Sequence, residues 1–282
     1  MADKLKVVVT QKSPEKGIQV AETALNFAKK TGAELTFLHV ADTTLPRSSV
    51  LIRLPEKIRD DLKNMGENIL EHVLEMAKNE GVDATKKILE GSPIDEILKV
   101  LNQYDLVIMR SRVFSEEGQI GDVTEAILKN CQAPTMISEG ERGQKNFDSC
   151  LITTDGSGES MMAIHYMAEN YAKFGKPKVH VINVLTHTRR EGEAKEVVAS
   201  AEKILEAAGV DIDVSVIKVD MDADISDEIL KFIEAKDIGF VLMATTGKGK
   251  IKRFFLGSVT QKIAAQVHVP VILFSQCLLG KQ

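Results

Sequence analysis

The apolar positions of the chain follow two rhythms, short dense runs of β-branched residues and longer stretches in which apolar residues return every three or four positions, and the series occurs twice. Residues 5–10 and 150–154 each form a dense run followed by a polar turn, which predicts the first strand of each half. Second strands are predicted over 34–40 and 179–184, each after a helical pattern that closes at a glycine, Gly32 or Gly175. Long helical patterns follow. Ile58, Leu62, Met65, Ile69, Val73 and Met76 recur at helical spacing, as do Val197, Ala201, Ile204, Leu205 and Ala208, and the two patterns end at Gly81 and Gly209. Third strands (85–89 and 214–219) and third helices (94–101 and 225–233) lead to fourth strands over 105–109 and 238–243. These last are almost wholly apolar, as parallel strands covered on both faces must be. The ends agree best: thirteen positions separate Gly121 from Pro134 and Gly257 from Pro270, and each proline opens an apolar run.

Each half therefore reads β-α-β-α-β-α-β-α-β. Right-handed crossovers with helices on both faces give an α/β fold of two tandem, doubly wound, five-stranded parallel-sheet domains of Rossmann-like form. The expected domains are 1–140 and 147–282, joined around 139–146 by a polar, glycine-containing stretch. The final strand of each half has an uncovered edge. Ligands bind such sheets beyond the carboxyl ends of the strands, which directs the search to the loops after the first, second and fourth strands.

Composition narrows the chemistry. With 44% hydrophobic and 27% charged residues, the 282-residue chain can build two ordinary cores and is not disordered by composition. Thirty-six basic against forty-one acidic residues give a net charge of −5, which argues against bulk nucleic acid or an anionic membrane as the main partner. No apolar run has the length of a membrane span or signal peptide, so a cytoplasmic protein is expected. Cys131, Cys150 and Cys277 lack disulfide or zinc spacing, and the six histidines are scattered, so no metal ligand is assigned.

The most informative stretch follows the fourth strand of the second half. Gly247 and Gly249 let backbone approach a ligand, and Gly257, Ser258, Val259 and Thr260 open a helix with small and hydroxyl residues. Free amides there suit an anion such as phosphate. Two other nucleotide signatures fail: Met161 interrupts the dinucleotide fingerprint begun at Gly156, and Gly249 follows Lys248 where a P-loop needs Ser or Thr. Lys248, Lys250, Lys252 and Arg253 read as a solvated face, with a phosphate-binding or partner surface as the alternative, and Phe254, Phe255 and Leu256 as anchors of the loop.

With nine residues between Gly247 and Gly257-Ser258, the chain resembles the universal stress protein family in a tandem two-domain form. Ala244 stands where the family's ATP-binding members carry their first glycine, and alanine forbids the positive-φ conformations open to glycine. The resemblance implies that Asp155 and Val184 lie on the adenosine side of a nucleotide and Gly247, Gly257, Ser258, Val259 and Thr260 on the phosphate side, with Thr154, Ala244, Thr245 and Gly249 beside them. ATP, ADP or AMP is the implied ligand, with magnesium accompanying ATP. In the first half the aspartate position is read as Gln11, the fourth-strand loop is two residues shorter, and Asp122 replaces Ser258, so that half is expected to be a degenerate structural partner that binds no ATP. The resemblance also implies that 134–138 and 270–275 pair within the chain, and that chains form a homodimer. The expected role is a stress sensor or regulator. The alternatives are a nucleotide-free scaffold or partner-binding module, and a slow ATP hydrolase; with no positioned general base in the pattern, no catalytic residue is assigned.

Overall fold

The computed structural model describes residues 4–44, 54–110, 121–131, 133–138, 146–186, 190–247 and 256–281. The first half runs β1 (Lys6–Thr10), α1 (Pro14–Thr31), β2 (Glu34–Asp42), α2 (Glu56–Asn79), β3 (Ala84–Gly91), α3 (Pro93–Val100), β4 (Leu106–Met109), α4 (Asp122–Asn130) and β5 (Thr135–Ile137). The second half repeats the order with β6 (Ser149–Thr153), α5 (Gly158–Asn170), β7 (Lys178–Leu185), α6 (Glu191–Ala207), β8 (Ile212–Lys218), α7 (Ile225–Ala235), β9 (Phe240–Ala244), α8 (Ser258–Gln266) and β10 (Val271–Phe274). A 3-10 turn, Gln276–Lys281, follows.

Within each half the strands are parallel, in the orders β3-β2-β1-β4-β5 and β8-β7-β6-β9-β10. The halves meet through β5 and β10, which pair antiparallel with Val271 opposite Ile137 and Leu273 opposite Thr135, so one ten-stranded sheet crosses the molecule. The edge each half would leave open is thereby closed by the other.

Strand alternation sorts the core. Val7 and Val9 face α1 and α2, while Val8 faces α3 and α4. The layer under α1, α2, α5 and α6 is one apolar cluster shared by both halves. Its centre is aromatic: Phe27 of α1 meets Phe147 and Phe174 edge-on at 5.2 and 5.4 Å, and Phe147 reaches Phe240 at 5.4 Å. Polar ties cross the same seam. Tyr166 donates to the carbonyl of Asp105 at 3.2 Å, and Lys30 pairs with Asp148. Gly175, at φ 74°, ends the α5 turn so close to α1 that a Cβ would stand 2.7 Å from the carbonyl oxygen of Lys30.

The apolar stripe of α2 is only partly covered. Ile69, Leu70, Val73 and Ala77 are buried, yet Ile58 is 44% and Met65 59% exposed. The 24-residue helix is about 36 Å long at 1.5 Å per residue, against about 26 Å for the eight-residue β3 beside it, so its first turns overrun the sheet.

Candidate functional site

The end of β6 is fastened before it turns into α5. The amide of Thr154 donates to the carbonyl of Ile182 on β7 at 3.0 Å, and Asn183 Nδ2 donates to the carbonyl of Thr154 at 2.7 Å. Asp155 follows at the rim. Its Oδ1 accepts from the amide of Ser157 at 2.9 Å and from Ser160 Oγ at 3.0 Å. Ser157 is the N-cap of α5, and its side chain accepts from the amide of Ser160 at 3.3 Å. The Asp155 carboxylate is thus held over the positive end of a helix, where negative charge is favoured.

The end of β9 is fastened in the same way. Ala244 is the last residue of the strand, paired with Phe274, and among the described residues the only non-glycines at positive φ are Lys176 and Asp237. The alanine is therefore accommodated as ordinary extended strand. Thr245 donates its amide to the carbonyl of Phe274 at 2.8 Å and accepts the amide of Gly257 at 2.7 Å. Thr260 Oγ1 donates to the carbonyl of Ala244 at 2.9 Å, which docks α8 onto the strand end. No side chain caps α8, so the amides of its first turn, Ser258, Val259 and Thr260, lack intrahelical acceptors. Lys262, one turn on, is turned away to Asp224 and Asp227 of the neighbouring helix at 2.8 and 2.6 Å. That pairing, with the amide of Ser226, holds Asp224 down at about 2.

The two loops meet at Gly247, where a Cβ would lie 2.6 Å from Asp155 Oδ2. A side chain at 247 would displace the carboxylate. The structure therefore gathers Thr154, Asp155, Ala244, Thr245, Gly247, Gly257 and Thr260 at the carboxyl ends of β6 and β9, with Ser258 exposed and Val259 half-buried on the first turn of α8. Val184 is the penultimate residue of β7 and half-buried. Gly249, with Lys248, Lys250, Lys252, Arg253, Phe254 and Phe255, lies outside the described residues. So does the first-half loop 111–120 and most of the expected linker. Ser157, Ser160 and Asn183 were not singled out from the sequence. A serine three residues after a candidate N-cap serine is the signal that points to the first two.

The first half departs from expectation in one register. Thr10 stands opposite Leu38 and Thr153 opposite Ile182, and the next residues, Gln11 and Thr154, donate their amides to those same carbonyls. Gln11 is thus the counterpart of Thr154, and Lys12, not Gln11, follows the strand where Asp155 does. The shift is hidden in sequence because the turn to Ser13 is one residue shorter than the turn to Ser157. Asp122 and Ser258 do coincide as first residues of α4 and α8.

The molecule is thus an α/β protein with an uncapped helix start and a clamped carboxylate at the carboxyl end of a doubly wound sheet, the side on which such sheets bind ligands. The chain belongs to the universal stress protein family, which it matches over residues 3–138 and again over 146–275. It is 22% identical over 272 residues to universal stress protein Slr1230 of Synechocystis, covering 88% of this chain and 91% of that one. Universal stress protein MJ0531 of Methanocaldococcus jannaschii is 29% identical over 141 residues, 47% of this chain and 80% of that one. The fold is shared with the crystal structure of a universal stress protein from Archaeoglobus fulgidus, with a TM-score of 0.76, 22% identity, and coverage of 96% of this chain and 98% of that one. Among the described residues no helix is long and apolar enough to cross a membrane, and no cluster of three or more His, Cys, Asp or Glu could hold a metal ion.

Proposed function

We propose that the second half binds an adenine nucleotide, ATP, ADP or AMP, and that the protein acts as a sensor or regulator through that occupancy. The observation that carries this reading is the convergence at Gly247: the Asp155 carboxylate and the loop leading to the uncapped start of α8 are in contact. Asp155 is suited to accept from sugar hydroxyls. The amides of Ser258 and Val259, with the Ser258 hydroxyl, are suited to donate to phosphate oxygens. Thr260 spends its hydroxyl on the strand end and contributes its amide. Magnesium, where it accompanies ATP, would be carried by the phosphates, since the described residues supply no carboxylate cluster for it.

Calorimetry of the full chain with ATP, ADP and AMP tests the reading. A Cβ at 257 meets Thr245 only at an ordinary 3.6 Å, so Gly257→Ala is expected to bind nucleotide while the branched Gly257→Val, with methyls in the path of the phosphate, is expected not to. Absence of binding by the native protein, or equal affinity in Gly257→Val, would overturn the assignment.

A further inference from the structure

We propose that the first half carries an oxyanion site of its own, at the start of α1, formed by Gln11, Arg110 and the first-turn amides of that helix. In the second half the start of α5 is served from within the chain, by Asp155 Oδ1 on the amide of Ser157 and by Ser157 Oγ on the amide of Ser160. The start of α1 has neither contact. Ser13 makes no capping bond through its side chain, Pro14 has no amide to offer, and Lys12 puts a cation in the register of Asp155. An 18-residue helix therefore begins with its positive end unmatched by the device its twin uses.

A second observation points into the same place. Gln11 is 3% exposed, yet neither its Oε1 nor its Nε2 has a hydrogen-bond partner. Its Oε1 lies against the first turns of α1, 2.1 Å from where a Cβ on Gly17 would stand. Arg110 follows the adjoining strand: Val9 is opposite Ile108, and Gln11 and Arg110 each stand two residues beyond that pair on their own strand. Arg110 Nε is likewise buried without a partner. The neighbouring His39 is already committed, its Nδ1 lying 2.9 Å from the carbonyl of Gln11.

Buried polar atoms are almost always matched, and those unmatched here are mainly donors: the two hydrogens of Gln11 Nε2, the Arg110 Nε–H and the open amides of α1. Their common complement is an anion with several acceptor oxygens. A small oxyanion would take the position that the Asp155 carboxylate holds in the other half, with the Gln11 side chain turning its amide nitrogen toward it. The site is independent of nucleotide binding in the second half.

The test is a titration of ¹⁵N-labelled full chain with inorganic phosphate, at ionic strength held constant with chloride. Saturable shifts are expected for the open first-turn backbone amides of Glu15 and Lys16 and the side-chain amide of Gln11, and acetate in place of phosphate shows whether a carboxylate also serves. Arg110→Met is expected to weaken phosphate at least about tenfold, the loss of one charge-assisted hydrogen bond. Gln11→Met should abolish the response while raising the melting temperature in phosphate-free buffer, since it removes the unmatched amide. Unmoved Glu15, Lys16 and Gln11 signals in the native protein, undiminished phosphate affinity in Arg110→Met, or a response to AMP but not to phosphate would each overturn the proposal.

Discussion

Where the first strand of each half hands over to its first helix, the same scaffold has been completed with opposite chemistry. In the second half Thr154 is followed by Asp155, whose carboxylate is clamped by Ser157 and Ser160. In the first half Gln11 is followed by Lys12, and the buried carboxamide has no partner. The element both halves need is kept. His39 Nδ1 lies 2.9 Å from the carbonyl of Gln11, and Asn183, at the same register on β7, donates to the carbonyl of Thr154 at 2.7 Å. A side chain from the second strand thus meets the last carbonyl of the first in both halves, and either residue type suffices. The start of the last helix divides the same way: Thr124 and Thr260 occupy the same buried third position, whereas Ser258 is replaced by Asp122. Positions that hold the fold are shared, and positions that would face a ligand are not. An acidic first residue at α4 suits a helix start but opposes a phosphate there.

The largest expected effect asks whether the halves are separable at all. Phe27 belongs to the first half but packs on Phe147 and Phe174 across the seam. Phe27→Ala is expected to cost about 3–5 kcal/mol, with amide exchange in β1 and β6 accelerating together. Protection surviving in β6 alone would mean that the halves unfold as independent units. Next comes Gly247→Ala. Its Cβ would press on Asp155 Oδ2 at 2.6 Å, where the first half has Lys12 in the register of that carboxylate, so about a tenfold loss of nucleotide affinity, about 1.4 kcal/mol, is expected by calorimetry. Smaller again is a matched pair of caps. Ser157→Ala removes a bond that exists and should cost about 1 kcal/mol, whereas Ser13→Ala, lacking that bond, should cost a few tenths at most. Equal losses in urea melts would show that the two helix starts are alike after all.

Much of this comparison was legible in the chain itself, for a physical reason. Strand alternation and helical spacing are local, so the repeat and the parallel sheets followed from short runs, while the meeting of β5 with β10 was implied by the family resemblance together with the edge each half leaves open. Gly247 and Gly257 were legible because glycines in a strand-to-helix loop suit the approach of an anion, and Asp155 through the family resemblance and its place at the end of the first strand. The contact between Asp155 and Gly247 was not, because it depends on where two loops from distant parts of the chain settle. The exchange of Gln11 for Lys12 was hidden by a one-residue difference in turn length. The exposure of Ile58 depends on how far α2 overruns the sheet, and Met65 stands beside the buried stripe of Gly66, Ile69, Leu70, Val73 and Ala77, neither of which spacing alone reports.

The finest expected difference between the halves is their response to acid. Thr36 and Thr85 pair across β2 and β3 at 3.1 Å, and at the same place on β7 and β8 stand His180 and Asp213, with His180 Nδ1 3.3 Å from Asp213 Oδ2. Burial, with the ring edge-on to Phe232, lowers the imidazole below its ordinary 6.5, and Lys236 and Lys178 add to the lowering while Asp213 opposes it. The unfolded chain then binds the proton more readily than the folded one, so stability rises with pH. The contribution is complete above about 6.5 and is lost as the pH falls below that value toward the lower folded pKa. Urea midpoints on either side of this window should therefore converge in His180→Thr, which copies the first half. A native midpoint that does not fall with acid, or falls equally in the variant, would place the acid response elsewhere. Because His180 lies on the strand that also carries Asn183 and Val184, the same series read with nucleotide present separates a loss of fold from a loss of ligand.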